Sequence, residues 1–258
     1  FGRHPCKDPY CLVISQARHV PTPPIAHLTC VGTSIEEITQ IVTDYLASGV
    51  RTFLALRGDP PVNRPDWSPA DDALVRATDL IRLIHEVDYK RAARSSSLAL
   101  QSALQPIRIG VATFPTGNPA AGTTPEDEVE RLVHKQVAGA DFAISQFAWH
   151  ASDFTRFVDL ARAAGVTIPI VPGILPPVET RRVLRTQKLT GVVASPDVLN
   201  ALENARSPRE QEQIGIQIAA DIALELLDGG APGIHLYTFN KADPALAVMA
   251  AVAKEHHA

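Results

Sequence analysis

The sequence holds 258 residues with a formal net charge of −4, a pI near 6.1 and a mean hydropathy of +0.02. That length suits one barrel-sized α/β domain, since such barrels run to roughly 200–250 residues, and the faint negative charge excludes the broad cationic surface that nucleic-acid backbones select. No apolar run approaches the ~20 residues of a membrane span, and no basic-then-apolar leader opens the chain, so a cytoplasmic protein acting on a small molecule is expected.

Cys6, Cys11 and Cys30 cannot all pair within one chain and are too sparse for a disulfide framework, which fits a reducing compartment. His4, Cys6 and Cys11 lack the close paired spacing and fourth ligand of a zinc site, so no metal is expected.

In chain order, short β-branched runs alternate with longer segments of helical period, the pattern of βα units and a parallel sheet. Ile25–Cys30 is the first candidate strand. Thr33 and Ser34, three residues before Glu36 and Glu37, cap a helix whose apolar stripe is Ile35, Ile38, Val42 and Tyr45 and which Gly49 ends. Thr52–Leu56 is the second strand. Ser68-Pro69 then opens a helix with Leu74, Ala77, Ile81 and Ile84 as its stripe. Tyr89 to Gln105, with Lys90, Arg91, Arg94 and a serine triplet, breaks the rhythm and reads as an exposed connection with a helical tail. Ile107–Phe114 is the third strand, followed by a helix from Thr124-Pro125 to Gly139; Phe142–Phe147 is the fourth, its helix ending at Gly165. Thr167–Val171 is the fifth. Helices starting at Ser195-Pro196 and Ser207-Pro208 follow, with Gly229 as a stop, then a sixth strand, Gly233–Phe239, and a frayed His256-His257 tail.

No internal repeat or linker divides the chain, so residues 1–258 are expected to form a single catalytic domain. Six strands do not close an eight-stranded barrel. The expected fold is a (β/α)8 TIM barrel whose first one or two strands are missing from this N-terminally incomplete sequence.

In such barrels the active site lies at the C-terminal ends of the strands, where the βα loops meet. Those ends are His27-Leu28-Thr29-Cys30, Leu56-Arg57-Gly58-Asp59, Phe114 to Pro119, Ser145-Gln146-Phe147, Pro172 to Pro176, and Tyr237-Thr238-Phe239-Asn240-Lys241. Arg57-Gly58-Asp59 combines a fixed cation, a backbone open to close approach and a carboxylate; read alone it equally suits a solvated ion pair at a strand end. Gln146 both donates and accepts, which suits a pterin-like or amide-bearing ring edge. His27 equally suits a core position, and Asn118 a turn. No G-x-G-x-x-G follows a strand, and no phosphate loop, H-E-x-x-H or G-x-S-x-G elbow is present.

Taken in order, these stretches resemble the methylenetetrahydrofolate reductase family, from about Ile14 to Val252, with this chain a divergent member. The resemblance is carried by His27 to Cys30, Ala55 to Pro60, the Phe114 to Pro119 turn, Ala138 to Phe142 leading into Gln146-Phe147, Pro172 to Pro176, and His235 to Asn240. It implies a flavoprotein oxidoreductase of one-carbon metabolism. NADH or NADPH reduces FAD, and the flavin reduces 5,10-methylenetetrahydrofolate to the 5-methyl form that supplies methionine synthesis. His27, Arg57, Gly58, Asp59, Ala77, Ala112, Phe114 and Asn118 would then contact FAD, with Asp59 the catalytic carboxylate; Gln146 and Lys241 would bind the folate.

The same resemblance marks departures. Arg76 stands where the family has an aromatic residue, Asn118 where it has histidine, and Lys241 where it has arginine. Val129 and Gln136 stand near the acidic and lysine contacts to the FAD tail, with Glu128, Glu130 and Lys135 adjacent; Thr186 stands where an aromatic covers the folate. The family's general acid is a glutamate on the first barrel strand, which this sequence lacks. Three readings follow: a folate reductase with FAD or with direct hydride transfer and no flavin, a catalytically silent folate- or nucleotide-binding barrel, and an unrelated barrel enzyme sharing only architecture.

Overall fold

Strands and helices alternate along the chain because runs such as Thr52–Leu56 are apolar on both faces, whereas the intervening segments repeat their apolar residues every three or four positions. The computed structural model describes Val13 and residues 21–59, 73–93 and 106–256. These fall into two units: the residues up to Ala112 with His134–Phe142, and Thr113–Val133 with Ala143 onward.

The first unit is built on parallel strands β1 (Ile25–Thr29), β2 (Thr52–Leu56) and β3 (Arg108–Thr113, to Ala112 in this unit). Ile25 pairs with Thr52 and Thr29 with Leu56; Thr52 in turn pairs with Arg108 and Ala55 with Val111. Along β1, Ala26 and Leu28 are buried while Ile25, His27 and Thr29 are exposed, so one face carries the core and the other is open. Phe53, Leu54 and Ala55 in β2 are buried on both faces.

Helix α1 (Ile35–Ala47) starts where Ser34 Oγ accepts from Glu37 N and the Glu37 carboxylate accepts from Ser34 N, the reciprocal capping expected there. Its buried stripe is Ile38, Val42, Tyr45 and Leu46; Ile35, expected in the stripe, is exposed because it lies in the first turn, before the helix reaches the sheet. Helix α2 (Ala77–Ala93) buries Ala77, Leu80, Ile81, Ile84 and Val87. Leu74 precedes it, and Ser68-Pro69 lies outside the described residues. The expected break at Tyr89 is not one: α2 continues to Ala93, with Lys90 on Glu86 and Arg91 on Asp88 as same-face ion pairs that keep these charges compatible with a helix. Arg94 to Gln105 lie outside the described residues.

The second unit is built on parallel β4 (Phe142–Phe147, from Ala143 in this unit), β5 (Ile170–Ile174) and β6 (His235–Leu236). Ala143 pairs with Ile170, Phe147 with Gly173 after a register shift, and Gly173 with His235. The fifth strand thus lies three residues beyond its expected span, because Pro169 offers only its carbonyl, to Ala143 N, and pairing continues through Pro172-Gly173, expected to follow the strand's last residue. The sixth is shorter than expected because Phe239 and Asn240 turn to positive φ.

Around these strands lie α3 (Pro125–Val137, whose last turn belongs to the first unit), α4 (Ala151–Ala163), α5 (Thr180–Thr190), α6 (Pro196–Glu203), α7 (Pro208–Asp228) and α8 (Ala242–His256). Phe147, Trp149, Leu175, Val183, Val192, Val198 and Leu202 form one buried cluster. Thr124 and Ser207 cap as expected, accepting from Asp127 N and Glu210 N. Ser195 does not: its buried hydroxyl has no hydrogen-bond partner among the described residues. Gly49, Gly139 and Gly165 are left-handed, but at the end of α7 Gly230, not Gly229, takes that conformation. His257, Cys6, Cys11 and His4 lie outside the described residues. No helix among the described residues is long and apolar enough to cross a membrane.

Candidate functional site

In the first unit, the Arg57-Gly58-Asp59 turn follows β2 beside the end of β1. Cys30 N donates to the Arg57 carbonyl at 3.1 Å, which pulls the turn against β1. Gly58 has φ +83°, and a Cβ placed there would lie 3.0 Å from Thr29 Cβ and 3.1 Å from Val31 Cγ2, so only glycine fits without strain. The Arg57 and Asp59 side chains are exposed and form no ion pair with each other; Arg57 Nε donates to the Gly58 carbonyl at 3.3 Å. Both charged side chains stand exposed at the end of the strand.

His27 stands on the open face of β1 and pairs in register with Leu54. Although its side chain is exposed, the protein packed around the ring lowers the imidazole pKa by desolvation, which favours the neutral form. Cys30 is buried and donates to the carbonyls of Leu56 and Arg76; burial, then the Asp79 carboxylate, push its thiol pKa up to about 11. Ala77 is buried at the start of α2. Ala112 is half-buried, and its carbonyl accepts from Lys135 Nζ at 2.7 Å.

The second unit carries the remaining candidates. Phe114 and Asn118 are half-buried in the turn after β3, where Asn118 and Thr123 exchange backbone hydrogen bonds of 3.1 Å. Gly117 there has φ +81°, and its missing Cβ would lie 2.3 Å from the Thr123 carbonyl oxygen. Gln146 is half-buried near the end of β4. Its Oε1 accepts from Phe147 N at 3.1 Å, so the side-chain amide is oriented with Nε2 free of partners among the described residues.

That orientation rests on a network the sequence did not single out. Ser145 Oγ donates to the Gln146 carbonyl at 2.8 Å and accepts from Gly173 N at 3.0 Å, and the Tyr237 hydroxyl donates to the Ser145 carbonyl at 3.0 Å. Burial pushes the Tyr237 pKa up to about 12. A Cβ at Gly173 would meet the Ser145 carbonyl oxygen at 2.3 Å and the Tyr237 ring at 2.6 Å, which is why β5 carries glycine here. The only sequence signal for this network was the position of Ser145 and Tyr237 in the strand-end stretches.

Lys241 is exposed and borders an open recess of about 510 Å³ also lined by Glu179, Arg182, Gln211, Glu212 and Asp243. Arg182, unremarked in the sequence, forms no ion pair among the described residues. The positions with altered character are committed elsewhere. Thr186 and Val129 are buried, Glu128 is buried against Thr123 and Arg131, and Gln136 and Lys135 both have partners within the protein.

A family model described as methylenetetrahydrofolate reductase matches residues 10–253. The chain belongs to the methylenetetrahydrofolate reductase family. A 5,10-methylenetetrahydrofolate reductase of Pectobacterium carotovorum is 32% identical over 228 residues, covering 86% of this chain and 67% of that protein. A probable methylenetetrahydrofolate reductase (NADPH) of Caenorhabditis elegans is 34% identical over 217 residues, 83% of this chain but 30% of that one. The chain thus spans about two thirds of the bacterial relative and under a third of the nematode one. Among solved structures, an uncharacterized Clostridium thermocellum protein described as binding two copies of 5-methyl-5,6,7,8-tetrahydrofolic acid has a TM-score of 0.56 at 14% identity, over 95% of this chain and 78% of that one, a likeness of fold. Among the described residues, the Arg57 and Asp59 side chains and the Gln146 side-chain amide nitrogen are exposed or half-buried polar groups at the strand ends that no ion pair takes up.

Proposed function

We propose that this chain is the catalytic part of a methylenetetrahydrofolate reductase, built as the larger portion of a (β/α)8 barrel, which uses NADH or NADPH to reduce 5,10-methylenetetrahydrofolate to 5-methyltetrahydrofolate in the cytoplasm. The observation that carries this reading is the Gln146 side chain, held by Phe147 N so that its Nε2 is presented unpaired, in a chain of this family. An amide donor of fixed direction recognises the acceptor edge of a pterin. Lys241 supplies a cation for the folate carboxylates. In the reaction the bond from the methylene carbon to one nitrogen breaks as that nitrogen takes a proton, which leaves an iminium on the other nitrogen, and the hydride then adds to the iminium carbon. Asp59, exposed and without an ion pair among the described residues, favours the cationic iminium that precedes hydride transfer. Neutral His27 would stand against the ring of the hydride donor.

Whether FAD lies between nicotinamide and folate turns on the tail-binding positions, and the residues there do not fit an FAD tail. Val129 is buried, Glu128 is engaged by Thr123 and Arg131, and Lys135 already donates to the Ala112 carbonyl, which leaves Glu130 as the exposed carboxylate among these positions. No step is therefore routed through flavin, and hydride passes from nicotinamide to the folate directly.

The test is nicotinamide oxidation by the purified protein with and without methylenetetrahydrofolate, its visible absorbance having first been recorded. Folate-dependent oxidation by a colourless protein is expected. Turnover only with flavin bound restores the flavin route. Folate binding without oxidation, even with flavin supplied, establishes the silent binding barrel instead.

A further inference from the structure

The strand that carries Gln146 is irregular at the point where Gln146 stands. Along the β4–β5 pair, Ile144 pairs with Val171 and Phe147 with Gly173, so β4 takes three steps where β5 takes two. The extra residue makes a β-bulge at Ser145-Gln146, and bulges bend a strand and re-aim a side chain, commonly beside an active site. Ser145 is buried, and its hydroxyl is bonded on both sides: Oγ donates to the Gln146 carbonyl at 2.8 Å and accepts from Gly173 N at 3.0 Å. The Ser145 carbonyl accepts from the Tyr237 hydroxyl at 3.0 Å, and Phe147 N donates to Gln146 Oε1 at 3.1 Å. The carbonyls of Ser145 and Gln146 and the N–H groups of Phe147 and Gly173 are thus all bonded by side chains, which is how an irregular ladder keeps its main-chain groups satisfied inside a protein. Only glycine lets β5 follow the bulge: a Cβ at Gly173 would lie 2.3 Å from the Ser145 carbonyl oxygen and 3.2 Å from Phe147 N.

We infer that Ser145 is a positioning residue for the folate site: its hydroxyl fixes the bulge in β4, and the bulge fixes the direction in which the Gln146 amide is presented. A hydroxyl is not what packing alone selects at a position 1% exposed. Its transfer from water is unfavourable unless its bonds are remade, and an apolar residue would serve burial in a strand as well. Here the hydroxyl joins the main chain of Gln146 to that of β5, so the neighbouring strand sets both the Gln146 backbone and the Phe147 N–H that orients Oε1. An amide whose direction is set before the ligand arrives loses less rotamer freedom on binding than one that must be ordered by it. The inference rests on the folate reading above and adds to it a residue that acts through Gln146 rather than on the substrate.

The test is a double-mutant cycle on the full chain, read as the KM for methylenetetrahydrofolate and the Kd of 5-methyltetrahydrofolate, with Tm measured alongside. Ser145→Ala is expected to raise KM and Kd roughly fivefold while kcat is retained, short of the effect of Gln146→Ala. Ser145→Cys, which keeps the volume but bonds weakly, is expected to do the same, and it carries the cycle if the alanine chain does not fold. In the Gln146→Ala background neither substitution should change KM or Kd by more than about twofold, although each still lowers Tm, because the side chain through which Ser145 acts is gone. A wild-type KM in both single variants, or a rise in KM that is as large in the Gln146→Ala background, overturns the inference and leaves the folate reading standing. A wild-type chain that neither turns over methylenetetrahydrofolate nor binds 5-methyltetrahydrofolate overturns the folate reading as well.

Discussion

The hydroxyl of Tyr237 donates to the main-chain carbonyl of Ser145 at 3.0 Å across 92 residues of sequence, and so ties β6 to the strand that carries Gln146. Tyr237→Phe keeps the ring contacts with Phe147 and His235 but leaves a buried carbonyl short of a donor. The expected cost is about 1–2 kcal/mol. For a chain of this size that is a fall in Tm of roughly 2–8 °C, read by thermal unfolding. An unchanged Tm would show that the bond contributes nothing.

The same burial sets an alkaline limit. Tyr237 is pushed up to about 12 in the folded chain, whereas an unfolded tyrosine ionises near 10, so its contribution is fully present below pH ~10 and is lost as pH rises from about 10 to about 12. Of the four tyrosines, this one should appear as a late step in the ultraviolet tyrosinate titration, absent in Tyr237→Phe. A wild-type titration identical to that of the variant refutes the assignment.

Gly58→Ala forces a side chain into a φ of +83° and sets its Cβ 3.0 Å from Thr29 Cβ. The turn must shift, at a cost of about 1–3 kcal/mol. Because Arg57 and Asp59 move with it, turnover should fall more than stability explains, which parallel measurements of denaturant midpoint and kcat/KM would reveal.

Cys30 should resist alkylation. With its pKa raised to about 11, only on the order of one molecule in 10³ carries the thiolate at pH 8, and its sulfur is buried against the carbonyls of Leu56 and Arg76. Peptide mass mapping after iodoacetamide treatment should find it unmodified in the native protein and modified in denaturant. Rapid native labelling would contradict the buried placement.

Two substitutions separate chemistry from binding. Asp59→Asn is expected to lower kcat by about 10- to 100-fold with a smaller change in folate KM, because its charge acts on the developing cation. Gln146→Ala is expected to raise folate KM about tenfold. If neither alters folate kinetics, the barrel is used for a different chemistry.

Much of the architecture was legible because it is local. Capping at Ser34, Thr124 and Ser207 depends on residues three apart, and β2 and β4 run over their expected spans because their apolar runs are bounded by turns. Strand ends with polar residues are equally readable, so His27, Arg57, Gly58, Asp59, Gln146 and Lys241 stand out in the sequence itself. The errors lie where distant contacts outweigh local preference. Pairing carries β5 through Pro172-Gly173, and Ser195 is buried without the capping bond its sequence suggests, whereas α2 runs past Tyr89 with local ion pairs three and four residues apart.

The sequence by itself determined the alternation of strands and helices, the family and the identity of the strand-end residues, since each depends on residue type and spacing along the chain. Only the tertiary structure decided which of those side chains are free. Glu128 and Lys135 are taken up by Thr123, Arg131 and the Ala112 carbonyl, Gln146 is oriented by Phe147 N, and Phe239 is held out by a strained turn. A hydrogen bond depends on position in space, and residues 23 or 92 apart in the chain come within 3 Å of one another only once the strands have paired.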